Sequence, residues 1–344
     1  MEGTRNSGLI HLYLEECFER EFSFVGVGLA MRALGHKLRV CLVDSSGSGN
    51  TLLLFFHKVL RSEGESFHLD FFSCSSKSLF HVGQANLQAE QYASFEDFCE
   101  RNCPRYDLVV FDLGAGKIAD DMFSLLVSYK GESTELVLCT HERNDFELCE
   151  RTFFFDLVSE FSSSSSSFSS PLEVSKLIVT GNGKGKSTFC FGFLLFQLLS
   201  SVQTHFIYFD KGGDFYGERV FFDLLVRRFP ELFSYSVSGG VRFDGGRFRF
   251  ENGEGDFEEA QRAYVEALSS RAELLIVDEF NTLARTELLR ESELLELMER
   301  KGRLVSSGRF APSALLEKAD LVLEILESKH YCYDGEGVRK GIDF

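Results

Sequence analysis

The sequence predicts an α/β protein whose mostly parallel sheet, covered by helices on both faces, is present twice along the chain. Three observations carry this. Short apolar runs bounded by turn residues alternate with longer helix-forming stretches, the pattern of parallel strands joined by crossover helices. A glycine-rich loop, Thr180-Gly181-Asn182-Gly183-Lys184-Gly185-Lys186-Ser187-Thr188, lies between the apolar run Lys176-Leu177-Ile178-Val179 and the apolar stretch from Phe189 to Leu199. Finally, Leu14 and Thr180, Asp44 and Asp210, and Asp112 and Asp278 are each 166 positions apart, which reads as an internal duplication.

Taken in order, residues 1–7 form a short lead and Leu9 to Leu14 the first strand. A helix over 25–34 follows, closed by Gly35 in a C-cap position. Strands are predicted over 38–43, 69–73, 107–112 and 135–140, and further helices over 52–60, 95–101 and 118–127. Residues 159–171, with Ser162 to Ser167 unbroken, are too polar to bury a face of their own and read as a linker. Two domains follow, 1–158 and 172–344. Beyond the linker the order repeats: strands over 176–180, 204–209, 274–278 and 303–307, helices over 186–199, 217–228, 256–269 and 287–300, and a hairpin-like stretch over 234–250.

Composition narrows the function. The chain of 344 residues is 44% hydrophobic, enough for two cores. Its 36 Lys and Arg against 53 Asp and Glu give a net charge of −17, which argues against a nucleic-acid or anionic-membrane surface. The nine cysteines form no CxxC pairs and no zinc-finger spacing, so a reduced, cytosolic chain is expected. There is no basic-then-apolar leader and no run of eighteen apolar residues, so neither export nor a membrane span is expected. The 37 Phe with no Trp read mostly as core filling.

Any polyanion must therefore be held locally, and the glycine loop is built for one. Its glycines let backbone N–H groups turn inward, the following helix N-terminus adds its positive end, Lys186 reaches phosphate oxygens, and the Ser187 hydroxyl can ligate Mg²⁺. The general phosphate-loop pattern has glycine six places before the lysine, where this chain has Thr180. In the 166-residue register, Glu15 to Glu21 oppose Gly181 to Ser187, placing carboxylates and no glycine where a nest would be; the first half is not expected to bind ATP this way. Leu113 likewise opposes Glu279.

The second half carries further signatures: Val277-Asp278-Glu279 at a strand end, Lys211-Gly212 with Gly217-Glu218, Ser307-Gly308-Arg309-Phe310-Ala311-Pro312, Ala319-Asp320-Leu321-Val322-Leu323-Glu324, Lys329-His330-Tyr331, and Gly341-Ile342-Asp343-Phe344. In these it resembles the corrinoid adenosyltransferases of the CobA/BtuR/CobO type, whose loop T-G-x-G-K-G-K-T-T accounts for Thr180. The resemblance covers about residues 174–344 and extends more weakly into the first half through 28–36, 106–112 and 136–140.

The resemblance implies a RecA-like P-loop fold and transfer of the 5′-deoxyadenosyl group of ATP to Co(I) of a corrinoid, with Mg²⁺ and release of triphosphate. A flavoprotein reductant is expected to supply Co(I). The ATP-binding residues are then Thr180, Gly181, Asn182, Gly183, Lys184, Gly185, Lys186, Ser187, Thr188 and Arg309, with Lys186 and Glu279 catalytic and Ser187 and Glu279 holding the metal. Phe248 and Phe250 stand where the family has an aromatic pair that removes the lower axial ligand of the cobalt. The other readings are a helix N-cap partner for Glu279, a surface ion pair for Arg309, and a hairpin facing a core for Phe248 and Phe250. His330 is read as making a structural hydrogen bond or a phosphate contact. Because the family works as dimers, the first half is expected to serve as a built-in pseudo-partner. Rival functions are a P-loop kinase or ATPase, and a non-catalytic nucleotide- or corrinoid-binding protein.

Overall fold

The computed structural model describes residues 8–15, 22–45, 49–61, 63, 66–82, 84, 86–113, 125, 127–140, 155–163, 171–240, 243–244, 247–248 and 252–343. In chain order these form β1 (Ile10–Glu15), α1 (Phe24–Gly35), β2 (Arg39–Asp44), α2 (Asn50–Leu60), β3 (His68–Ser73), β4 (Ser78–His81), β5 (Ala89–Gln91), α3 (Phe95–Asn102), β6 (Leu108–Asp112), β7 (Glu135–Thr140) and β8 (Leu157–Ser163). There follow β9 (Lys176–Thr180), α4 (Lys186–Leu199), β10 (Thr204–Tyr208), α5 (Gly217–Arg228), β11 (Phe233–Val237), β12 (Phe243–Asp244), β13 (Arg247–Phe248), α6 (Asp256–Ser269), β14 (Leu274–Asp278), α7 (Glu291–Met298), β15 (Arg303–Ser307), α8 (Ser313–Glu317) and β16 (Leu321–Lys329).

The contacts divide the chain into two compact units. The first comprises Met1–Glu160, Gly217–Phe221 and Ser328–Phe344, the second Phe161–Tyr216 and Phe222–Glu327. Neither follows the sequence in one piece: the second half of the chain lends the start of α5 and its own tail to the first unit.

In the first unit the strand order is β8-β1-β7-β6-β2-β3-β4-β5. The pairs from β1 to β3 are parallel and β4 and β5 add antiparallel at the edge. The central strands are apolar along their whole length because both faces are covered. Leu12, Val43, Phe72, Phe98, Phe111 and Leu138 meet in one core. α1 is buried at every residue, as its run of Val, Gly, Leu and Ala requires, and Ser23 caps it by accepting from the Gly26 N–H at 2.8 Å.

The tail is tied into this unit by buried charge. Arg339 donates to Glu135, which also meets His11 Nε2 at 2.7 Å, and Arg32 Nε donates to Glu218 at 3.0 Å. Arg32 reaches the Ile342 carbonyl at 2.5 Å as well. Burial would push the Glu135 carboxyl up, but His11 and Arg339 hold it below the usual carboxylate range. His330 belongs to this tail. Its Nδ1 accepts from the Cys332 N–H at 3.0 Å and its ring lies 4.6 Å from that of Tyr331, so it makes the structural hydrogen bond.

In the second unit the strand order is β16-β9-β15-β14-β10-β11, with the pairs from β16 to β11 all parallel. Ile207, Leu275, Val277, Leu294 and Leu304 lie in its core. Phe191 of α4, Phe206 and Tyr208 of β10, and Phe222 of α5 pack ring on ring. Tyr208 is thus an aromatic core residue. Matching strand by strand, β1, β2, β3, β6, β7 and β8 occupy the same places in the first order as β9, β10, β11, β14, β15 and β16 in the second.

Several predicted elements differ in extent. The helix expected over 287–300 is shorter: Glu287 has φ 59, Leu288 and Leu289 are both buried, and α7 starts only after Arg290, where Glu293 completes a capping box. The hairpin expected over 234–250 splits, because β11 joins the sheet in parallel to β10 and only β12 and β13 pair antiparallel. β8 was hidden by serine: it runs through Ser162 and Ser163, while residues 164–170 of the serine tract lie outside the described residues. Most of the helix predicted over 118–127 also lies outside them, although Leu125 and 127–129 are helical. Among the described residues no helix is long and apolar enough to cross a membrane.

Candidate functional site

The site lies in the second unit, at the C-terminal ends of β9, β14 and β15, where the open side of a parallel sheet meets helix N-termini. β9 is buried through Thr180 and delivers the chain into the turn Gly181 to Gly185. Two of its glycines are required by geometry. Gly181 has φ 95, and a Cβ there would stand 2.3 Å from the Ile325 carbonyl oxygen of β16. Gly185, at φ 112, leads directly into α4, whose N-terminus carries no side-chain cap. The Gly183 N–H donates to Ile325 at 2.8 Å, fastening the loop to the sheet.

Two lysines are folded inward. Lys186, on the first turn of α4, is buried and donates to the Gly181 and Gly183 carbonyls at 2.9 and 2.7 Å. Burial brings its ammonium down to about 8. Lys211 follows Asp210, itself held at φ 52, and donates to Ser187 Oγ and to Asp278 Oδ2, each at 2.6 Å. Burial would lower the Lys211 ammonium, but Asp278 and Glu279 hold it above the usual lysine range. Asp278, fully buried at the end of β14, is the converse case: burial would raise it, but Lys211, Ser307 and Ser187 hold its carboxyl low.

Around this centre, Ser307 at the end of β15 donates to Asp278 Oδ1. Glu279 takes the left-handed conformation, φ 60, and its Oε1 lies 3.3 Å from Lys211 Nζ. It precedes a turn of 3₁₀ helix, Phe280–Thr282, without capping it through its side chain. Asn281 Nδ2 donates to the carbonyls of Val179 and Gly308 at 3.1 and 3.3 Å, locking the ends of β9 and β15 together. Arg309 is exposed and reaches the Asn182 carbonyl at 3.3 Å.

The structure thus gathers Lys186, Ser187, Glu279 and Arg309 from the sequence prediction around one loop. Thr180 and Thr188 are buried at its two ends, and Asn182 is exposed at its tip. Phe248 sits on β13 opposite Phe243, and Phe250 lies outside the described residues. Sequence reasoning gave no task to Lys211, Ser307 or Asn281 and passed over Asp278 in favour of Glu279. The signal for Asp278 was the apolar strand ending on a carboxylate; Lys211 and Ser307 stand in motifs quoted above, but nothing local gives them or Asn281 a task.

Ser187 Oγ and the Asp278 and Glu279 carboxylates converge on one cation, the Lys211 ammonium. Such an all-oxygen donor set suits a hard divalent ion such as Mg²⁺. No Ser–His or Cys–His pair stands beside the loop among the residues described above, so what the arrangement offers chemically is positive charge and N–H groups for a polyphosphate.

The sequence profile of the family described as ATP:corrinoid adenosyltransferase BtuR/CobO/CobP matches residues 175–344. A corrinoid adenosyltransferase of Pseudomonas aeruginosa is 31% identical over 175 residues, covering 49% of this chain and 82% of the relative. One from Sinorhizobium sp is 26% identical over 176 residues, covering 49% of this chain and 79% of the relative. With its loop, strand-end carboxylates and tail all inside the matched segment, this chain belongs to the corrinoid adenosyltransferase family.

Proposed function

We propose that the second half of the chain transfers the 5′-deoxyadenosyl group of ATP to the cobalt of a corrinoid. Co(I) supplies the electron pair for the new carbon–cobalt bond, the C5′–oxygen bond breaks, and triphosphate leaves with its electrons. Such a nucleophile needs no activating side chain. The protein's tasks are to hold the reacting carbon in line and to stabilise the leaving charge. The observation that carries this reading is the pair of inward lysines, Lys186 and Lys211, at the uncapped N-terminus of α4 beside the buried Asp278.

In this reading the loop N–H groups, Lys186 and Arg309 hold the triphosphate. Ser187 and the Asp278–Glu279 pair hold Mg²⁺, which when bound adds positive charge against the leaving group. Phe248 and Phe250, in the segment before α6, are the residues this reading assigns to the corrin. A flavoprotein supplies the electron that makes Co(I), and the reaction takes place in the cytosol.

The first half is a degenerate copy of the same RecA-like fold, joined through residues 159–171, of which 159–163 close β8. The matched strand orders support the duplication. Its loss of ATP binding is supported by its own carboxylates: Glu15 accepts from the Ser23 hydroxyl and from the Phe24 N–H at 3.2 Å, and Asp112 accepts from the Ser23 N–H at 2.8 Å. The N-terminus of α1 is thereby filled by the chain itself. That half takes the place of a second subunit, a reading supported by the tail Ser328–Phe344 and the start of α5 grouping with it.

The test is an anaerobic assay with chemically reduced cob(I)alamin, ATP and Mg²⁺, following the light-sensitive alkylcobalt spectrum and triphosphate, with Lys186→Ala as control. Both products from the native chain and neither from the variant are expected. Phosphate or ADP instead of triphosphate would mean a kinase or ATPase; ATP binding without a carbon–cobalt product would mean a binding protein.

A further inference from the structure

Lys211 belongs to the pair of inward lysines on which the proposed function rests, but the steps above give its charge no task of its own. Its ammonium donates to Ser187 Oγ and Asp278 Oδ2 at 2.6 Å each and lies 3.3 Å from Glu279 Oε1, with its side chain only 13% exposed. These are the oxygens a metal would use. An oxygen bound to Mg²⁺ sits about 2.0–2.1 Å from it, and the ammonium already lies within hydrogen-bond or ion-pair distance of the same three groups. A unit charge and a double charge sharing these oxygens would also repel strongly in so dry a place. Metal and ammonium therefore exclude each other.

We propose that Lys211 is a resident counter-ion: it holds Ser187, Asp278 and Glu279 in the nucleotide-free protein, and loading of Mg-ATP displaces its ammonium from them onto the polyphosphate. The inference rests on the reading of this loop as a Mg-ATP site. A buried carboxylate without a cation is costly, so Asp278 needs a partner whenever metal is absent. Lys211 supplies one without leaving the chain, on a stem long and flexible enough to turn toward a phosphate entering over the loop. Lys186, hydrogen-bonded to the Gly181 and Gly183 carbonyls at 2.9 and 2.7 Å, is latched in the same manner. Both lysines are thus held by internal acceptors, which ATP would replace with its own oxygens.

A purely structural Lys211 and a resident counter-ion differ in what removing the charge does to metal binding. Mn²⁺ binding to the nucleotide-free full-length chain, followed by the loss of the free-ion EPR signal, reads this without corrinoid or turnover. Lys211→Met should bind Mn²⁺ at least about tenfold more tightly than the native chain, since the competitor that holds the site is gone. Mn²⁺ should also raise the melting temperature of the variant by more than it raises that of the native chain. Equal or weaker Mn²⁺ binding by folded Lys211→Met would overturn the proposal. Should that variant not fold, the native chain labelled with ¹⁵N-lysine decides it. The Lys211 ammonium resonance, assigned with Lys211→Arg, should move on addition of Mg-ATP, and an unmoved resonance in ATP-saturated protein overturns the displacement. Failure of the transferase reading shows separately, as absent carbon–cobalt product with these binding results intact.

Discussion

Replacing Gly181 by alanine should cripple the phosphate loop, and two glycines elsewhere separate the reasons. Gly181 combines φ 95 with a virtual Cβ 2.3 Å from the Ile325 carbonyl oxygen and 2.8 Å from its nitrogen. A left-handed backbone costs an L-residue about 1–2 kcal/mol, and forced overpacking about 1–3 kcal/mol more. Both obstructing atoms are backbone of β16, so the loop and not the strand must move. If the loop holds its place, the cost appears as lost stability; if it relaxes, the cost returns when ATP demands the original geometry. A total of about 2–5 kcal/mol corresponds, at its low end, to about 30-fold weaker ATP binding. Gly255 has φ 86 with nothing within 4 Å of its Cβ position, so Gly255→Ala should show the conformational cost alone. Gly337 has nothing within 4 Å and no positive φ, so Gly337→Ala should be neutral to within about 0.5 kcal/mol. ATP titration calorimetry and thermal unfolding with and without saturating ATP measure both outlets of the cost. If Gly181→Ala matched the native chain in both, the close approach of loop and β16 would not be a real constraint.

The remaining predictions concern the first unit and its charges. Equilibrium dialysis should find one ATP per chain, because α1 already carries Glu15 and Asp112 at its N-terminus; a second site of similar affinity would defeat the degenerate-copy reading. Arg339→Met should cost less than the about 3–5 kcal/mol of a wholly unpaired buried charge, since Glu135, whose side chain is only 11% exposed, keeps His11 Nε2 and the Leu9 N–H, and adding Glu135→Gln should recover part of that in denaturant unfolding. The folded-state Glu135 carboxyl lies below its ordinary 4.5, so its contribution is present above that pH and is lost as pH falls through the folded value. His81 behaves oppositely: burial would lower it, but Asp70 at 2.8 Å and Glu90 at 3.1 Å raise it above 6.5. Its contribution is full below that pH and fades as pH rises through the folded value, so His81→Gln should flatten the melting temperature between neutral and mildly alkaline pH. An unchanged slope would show that the His81 pairs are too solvated to matter.

What the sequence discloses follows from how local the underlying physics is. The phosphate loop is legible because strand, glycines and helix are contiguous, and the strand-end carboxylates because four or five apolar residues announce each one. Lys211 is not legible, since its partners come from α4 and from β14, which is 63 positions or more away along the chain, and its placement depends on the left-handed turn at Asp210. β8 escapes notice because serines carry half of it, although Leu157, Val158 and Phe161 are buried. The edge strands β4 and β5 are short, and β5 is exposed along its length, which leaves no alternation to read. The shorter α7 is a case of tertiary burial overriding helix propensity at Leu288 and Leu289.

The strand-end carboxylates Asp278 and Asp112 serve opposite ends in the two units. In the second unit Asp278 is engaged by Ser307 and Lys211, and α4 begins without a side-chain cap. The first N–H groups of a helix have no partner within it, so they and the helix dipole are left for an anion that comes from outside. In the first unit Asp112 turns instead to the Ser23 N–H, Glu15 takes the Phe24 N–H, and the Ser23 hydroxyl takes that of Gly26. Three internal acceptors satisfy what a phosphate would. The counterpart of Lys211 in the 166-residue register is Ser45, which carries no charge. Restoring glycines to the first loop would therefore not restore ATP binding. On the proposed reading Glu15 would have to go as well, and a lysine would have to stand at position 45, because in the second unit α4 starts without a side-chain cap and Lys211 stands beside Asp278.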